Sequence, residues 1–138
     1  MDGLHVVVVG AGIGGLGSAL ALARAGNQVT LIERDDTPMP ADAEAAFEWD
    51  RSGAPQVRHP HVFLGLARTI LRDRFSDVQH ALSDLGVEPA PIGNNQGMTL
   101  DEATLAVLRA DDDLRMLPCR RTTFEWVCLL YTSDAADE

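Results

Sequence analysis

Apolar residues fall into two rhythms along this chain. Val6 to Val9 form an unbroken β-branched run, which predicts a parallel strand buried on both faces. A glycine-rich stretch from Gly10 to Gly17 interrupts it. Ala19 and Leu22 then recur at helical spacing, and Gly26 stands at the helix's C-terminal boundary. Val29 belongs to a second apolar strand that closes in the acid Glu33. Strand, turn, helix and strand within Leu4–Glu33 predict a βαβ unit.

Beyond Glu33 the rhythm loosens. Prolines break the stretch from Arg34 to Asp50, which is expected at the surface with a short helix in AEAAFEW. Between His61 and Arg74, Val62, Phe63, Leu66, Ile70 and Leu71 recur at helical spacing, leaving Arg68, Arg72 and Arg74 to other faces. A further helix starts at Ser76, with Asp77 in its first turn, covers Val78, Ala81, Leu82 and Leu85, and ends at Gly86. Asn94, Asn95 and Gly97 predict a turn. Thr99 to Ala110 predicts a helix capped by Thr99 or Asp101 and ended by Asp111–Asp113, read as a solvated turn. His5 is expected at a strand edge, His80 on a helix surface, and Trp49 and Trp126 in packing. There is no internal repeat and no coiled coil.

The glycine turn carries the chemistry. Gly10, Gly12 and Gly15 occupy the positions where a side chain would obstruct a tight turn, a dinucleotide's pyrophosphate, and helix–strand packing. Unpaired N–H groups at a helix start, reinforced by its dipole, attract that pyrophosphate, and the acid after the second strand receives ribose hydroxyls. A bare GxGxxG is weak, but here both strands and the acid stand where the motif requires. Gly14 and Gly17 read as close packing and a flexible helix entry, Gly14 remaining a cofactor-loop candidate. An acid at position 33 suits NAD and the adenosine half of FAD alike, and argues against a 2′-phosphate.

The extended pattern, closing in Glu33 and Arg34, resembles the FAD-binding start of flavoprotein oxidoreductases, including the aromatic-ring hydroxylase group of monooxygenases. The segment RSGAPQVRHPHVF from Arg51 resembles the GVPQ-x-R-H-x-H region of enzymes related to the polyprenyl-methoxyphenol hydroxylases. Ala54 replaces their commoner valine, and Ser76-Asp77 stands where Pro-Asp or Pro-Gly is more usual. CRRTTFEWV from Cys119 to Val127 resembles their arginine-led helix start. The resemblance implies an α/β, Rossmann-like FAD-binding βαβ unit followed by a helical excursion, an incomplete domain. It further implies a monooxygenase in which NADH or NADPH reduces FAD and one oxygen atom passes to a small organic, including lipophilic, substrate.

Under this resemblance Gly10, Gly12, Gly14, Gly15, Glu33 and Arg34 belong to the dinucleotide site, and Gln56 and Arg121 lie toward the ring system or phosphate. Arg120 is the competing register; both arginines alternatively balance Asp111–Asp113 as solvated residues. His59 and His61 are candidate hydrogen-bond or proton-transfer groups, the alternative being that they shape the loop. No ligand set of metal spacing accompanies this pair, so no metal is expected. Other classes stay open: an NAD-dependent dehydrogenase, or a non-catalytic or nonfunctional dinucleotide-binding fragment.

Composition narrows the partners. A net charge of −10 with no identifiable basic face argues against nucleic acid. No stretch of about 20 apolar residues can span a bilayer, and two cysteines form no disulfide framework, so a cytoplasmic location is expected. Nothing addresses oligomeric state. Residues 128–138, CLLYTSDAADE, look like translated transposon-end and adapter DNA from sequencing-library preparation. Residues 1–127 are therefore expected to be the N-terminal part of the FAD-binding domain, cut inside a helix, and 128–138 not to be native. Setting aside Asp134, Asp137 and Glu138 leaves −7. The alternative is a natural acidic tail.

Overall fold

The computed structural model describes residues 3–59, 61–91 and 100–134. In chain order the elements are β1 (His5–Val9), α1 (Ile13–Arg24), β2 (Gln28–Ile32), α2 (Ala43–Phe47), a 3₁₀ turn (Pro55–Arg58), β3 (Val62–Phe63) and α3 (Gly65–Arg74). There follow α4 (Ser76–Asp84), β4 (Ala90–Pro91), α5 (Glu102–Ala110), a second 3₁₀ turn (Asp112–Leu114), β5 (Arg115–Pro118) and α6 (Arg121–Asp134). They form two compact units, Met1–His59 with Arg120–Glu138, and Pro60–Cys119.

The first unit is built on the βαβ motif. β1 and β2 pair in parallel from His5 opposite Gln28 to Val9 opposite Ile32. Val6 and Val8 are half-buried, whereas Val7 is 53% and Val9 80% exposed, which corrects the expectation of a strand buried on both faces. The physical reason is that, among the described residues, this sheet has only two strands and α1 covers one face. Gly10 turns the chain with φ +99°, a conformation that Cβ-bearing residues rarely adopt, and its N–H donates to the Ile32 carbonyl (2.7 Å).

Leu16, Ala19 and Leu20 form the buried stripe of α1, and α6 packs along it with Phe124, Trp126 and Val127 buried. α2 also packs on α6, capped by Asp42, whose Oδ1 accepts from Ala45 N–H (2.8 Å). The surface expectation for Arg34–Asp50 is thus corrected at Ala46 and Trp49, both buried. Trp126 Nε1 donates to the Pro40 carbonyl (2.9 Å), fastening the proline-rich loop to α6. Helix α6 runs past Val127 to Asp134 without a break.

The second unit joins α3, α4 and α5 to an antiparallel sheet of order β3-β5-β4. Val62 and Phe63 pair with Pro118 and Leu117, so they form a strand and not the predicted helical start. The helix faces also differ from expectation: α3 buries Gly65, Arg68 and Leu71, while Leu66 is 76% and Ile70 45% exposed. A Cβ on Gly65 would run into the Asp113 carbonyl oxygen, and Arg68 Nη1 donates to the Asp112 carbonyl (2.6 Å) and Oδ2 (2.5 Å). These contacts turn an arginine inward where hydrophobic spacing alone would place it outside.

In α4, Val78 and Leu82 are buried and the helix gives way to Leu85 and Gly86 (φ +81°), but Leu85 is exposed. Asp101 caps α5, its Oδ1 accepting from Thr104 N–H (2.8 Å). The run Asp111–Asp113 is no plain solvated turn: Asp111 caps the second 3₁₀ turn, and Asp112 and Asp113 pair with Arg72 as well. The turn predicted at Asn94, Asn95 and Gly97, and Thr99, lie outside the described residues. Among the described residues no helix is long and apolar enough to cross a membrane.

Candidate functional site

Helix α1 starts without a side-chain cap. Gly12 holds the N-cap position in extended backbone, contributes no side-chain cap, and no acid lies in the first turn. The first N–H groups of a helix have no intrahelical partner and sit at the positive end of its dipole, so this start is fitted to an anion. A Cβ on Gly15 would collide with the Gly10 carbonyl oxygen, which requires glycine for the helix to meet the turn this closely. A Cβ on Gly14 or Gly17 would meet nothing within 4 Å, correcting their reading as close-packed positions.

Arg121, the first residue of α6, stands over this turn. Its Nη2 lies 3.1 Å from the point where a Gly12 Cβ would be, and its Nε donates to Glu125 Oε1 (2.7 Å). Arg120 faces elsewhere: its Nη1 donates to the Phe47 carbonyl (3.1 Å) and its guanidinium lies 3.6 Å from the Phe47 ring centroid. Of the two, Arg121 is the one that stands at the glycine turn.

Glu33 is drawn to the turn by backbone donors. Oε1 accepts from Asp35 N–H (2.9 Å) and Arg34 N–H (2.7 Å), and Oε2 from Ala11 N–H (2.6 Å). The Asp35 and Ala11 amides, then that of Arg34 and the Arg51 charge, hold its carboxyl below the usual range. An ionised carboxylate has about four acceptor sites, so capacity for a hydroxyl remains on a side chain 28% exposed. Arg34 contributes its N–H, its side chain being exposed.

Three residues of the site were not singled out from the sequence. Arg51 is buried, donates from Nε to Asp35 Oδ2 (3.1 Å), and brings Nη2 to 3.6 Å from Glu33 Oε2 and Nη1 to 3.5 Å from Glu125 Oε2. Its guanidinium lies 4.6 Å from the Trp49 ring centroid. Asp35 accepts from Thr37 Oγ1 (2.5 Å) and Thr37 N–H (3.1 Å), which lead in lowering its carboxyl to about 2. Glu125 is wholly buried. A signal for it was present: a carboxylate among Phe124, Trp126 and Val127, four residues after Arg121, is out of place on an apolar helix face unless paired.

Gln56 lies exposed on the first 3₁₀ turn, and His59, also exposed, follows it. His61 belongs to the second unit, where its carbonyl accepts from Cys119 N–H (3.2 Å). The described residues contain no group of three or more His, Cys, Asp or Glu able to hold a metal ion.

A βαβ unit with an uncapped, glycine-lined helix start and an ionised carboxylate after its second strand defines a dinucleotide-binding module. The FAD dependent oxidoreductase family matches residues 5–88, and the chain belongs to that family. Membership selects FAD over the NAD-dependent alternative. Phytoene dehydrogenase of Streptomyces griseus is 62% identical over 34 residues, and hydroxyneurosporene desaturase of Cereibacter sphaeroides 67% over 33 residues. These stretches cover 25% and 24% of this chain and span 7% of the length of each relative.

Proposed function

We propose that this chain is the FAD-binding N-terminal part of a flavin-dependent monooxygenase that uses NADH or NADPH and oxygen on a small organic substrate. In this reading residues 1–127 are native and 128–138 derive from adapter DNA. The α1 amides at Gly12–Gly15 and the Arg121 guanidinium hold the pyrophosphate, and Glu33 receives the adenosine ribose. Bound FAD supplies the redox chemistry; the protein's part is to orient it and to exclude water. Gln56 and His59 are assigned to the substrate side, where a histidine can hold or move a proton near neutral pH.

One observation carries the reading. Three segments that resemble flavoprotein sequence come together: Arg51 and Arg121, which open two of them, join one charged network through Glu33 and Glu125, and Glu33 ties in the glycine turn by accepting from Ala11 N–H. A second reading, a flavin-dependent dehydrogenase, draws support from the names of the two relatives, although those matches are only about as long as one βαβ unit.

The test is made on the full-length protein carrying this segment, its reading frame established by sequencing the source locus across the Val127 codon. Purified protein is expected to be yellow with FAD, and Glu33→Arg to lose the flavin. Sustained NADH or NADPH oxidation that requires both substrate and oxygen assigns the monooxygenase. Substrate oxidation under anaerobic conditions with an artificial electron acceptor assigns the dehydrogenase instead.

A further inference from the structure

A carboxylate beside an anion site calls for explanation. Glu125 is wholly buried, and its Oε1 lies 3.8 Å from the point where a Gly12 Cβ would be. Burying that charge is costly, and by itself it would repel a phosphate at the α1 start. Two guanidinium groups account for it: Arg121 Nε at 2.7 Å from Oε1 and Arg51 Nη1 at 3.5 Å from Oε2.

We propose that Glu125 is a positioning residue for the cofactor's pyrophosphate, acting through Arg121. The inference rests on the FAD reading above. Glu125 engages Arg121 at Nε, and Nη2 of the same guanidinium stands at the Gly12 turn. An arginine fork serves two anions at once, one on each edge, which the single ammonium of lysine cannot do in the same geometry. Anchoring fixes a long, rotamer-rich side chain before the ligand arrives, so ordering it does not oppose binding. Arg51 shares the carboxylate's charge on the other side, so the Nη1–Nη2 edge of Arg121 is left for the ligand.

The proposal is tested by titrating the deflavinated full-length protein with FAD, ADP and adenosine. Flavin fluorescence reads the first, and displacement reads the other two. Glu125→Gln is expected to weaken FAD and ADP by about tenfold, the cost of ordering one long side chain, and to leave adenosine unchanged. Equal losses for ADP and adenosine, or unchanged or tighter ADP binding in a folded variant, overturn the proposal. If Glu125→Gln does not fold, Arg121→Lys carries the test. It keeps the charge and leaves Glu125 in place, so a selective loss of ADP supports the proposal and an unchanged ADP-to-adenosine ratio overturns it. Wild-type protein that binds no FAD would instead bring down the cofactor reading itself.

Discussion

Among the described residues each unit holds a network of carboxylates and guanidinium groups, and the two are built on opposite terms. Glu33, Asp35 and Glu125 meet Arg51 and Arg121 in the first unit; Asp73, Asp112 and Asp113 meet Arg68 and Arg72 in the second. In the first, Arg51 is 7%, Asp35 3% and Glu125 0% exposed. In the second, Asp112 is 54% and Asp113 68% exposed. Water can replace a lost partner at Asp112 and Asp113 and cannot at Asp35 or Glu125. The count of charges therefore does not mark a site. What sets the first network apart is burial next to an uncapped helix start.

The sharpest way to break this comparison is to remove the central cation. Arg51→Met leaves Glu125 buried with a single cationic partner, and removing one member of a buried pair typically costs about 3–5 kcal/mol. Urea unfolding followed by tryptophan fluorescence is expected to show a loss of that order. A loss under about 1 kcal/mol, the range of surface pairs, would place both networks in one class. Arg68→Met should fall between these limits. Arg68 is itself buried but pairs with an exposed Asp112 and a backbone carbonyl. Losing hydrogen bonds from a charged donor costs about 1.5–3 kcal/mol, and the exposed end of the pair draws the expectation to the lower figure, read in the same unfolding measurement.

The comparison also explains what could be read in advance. The βαβ unit was legible because each of its signals is local: a β-branched run, glycines at fixed spacing, and an acid after the second strand. Gly10 (φ +99°) and Gly15, which admits no Cβ, show why those positions carried information. Arg51, Asp35 and Glu125 were not legible as a group, because their meeting depends on how α6 packs against α1, across some ninety residues of chain. Arg68 misled for a related reason. Hydrophobic periodicity ranks arginine as an outward residue, whereas a long side chain with an available carbonyl and carboxylate at its tip can lie on the buried face. The exposed Val7 and Val9 show the converse: a β-branched run specifies a strand, but only neighbouring strands and helices decide how many of its faces are covered.

The smallest effect distinguishes the networks most finely, because two carboxyls are lowered for different causes. Asp35 is brought to about 2 chiefly by the Thr37 hydroxyl and Thr37 N–H, with the Arg51 charge a lesser contribution. Asp112 is lowered first by its hydrogen bond from Arg68, then by that from Arg72, both from guanidinium groups. Each carboxyl is more acidic folded than unfolded. Each therefore stabilises the fold above the ordinary value of 3.8 and loses that contribution as pH falls through its folded value, for Asp35 between 3.8 and about 2. Salt acts on them unequally. At 1 M the screening length is about 3 Å, which weakens an exposed ion pair but leaves a neutral donor's hydrogen bond nearly untouched. Carboxyl carbon chemical shifts recorded against pH are thus expected to show the Asp112 midpoint rising toward 3.8 in 1 M salt while that of Asp35 stays in place. Equal movement of the two would mean that the Arg51 charge, and not Thr37, holds Asp35 ionised, and that the buried network is as open to solvent ions as the exposed one.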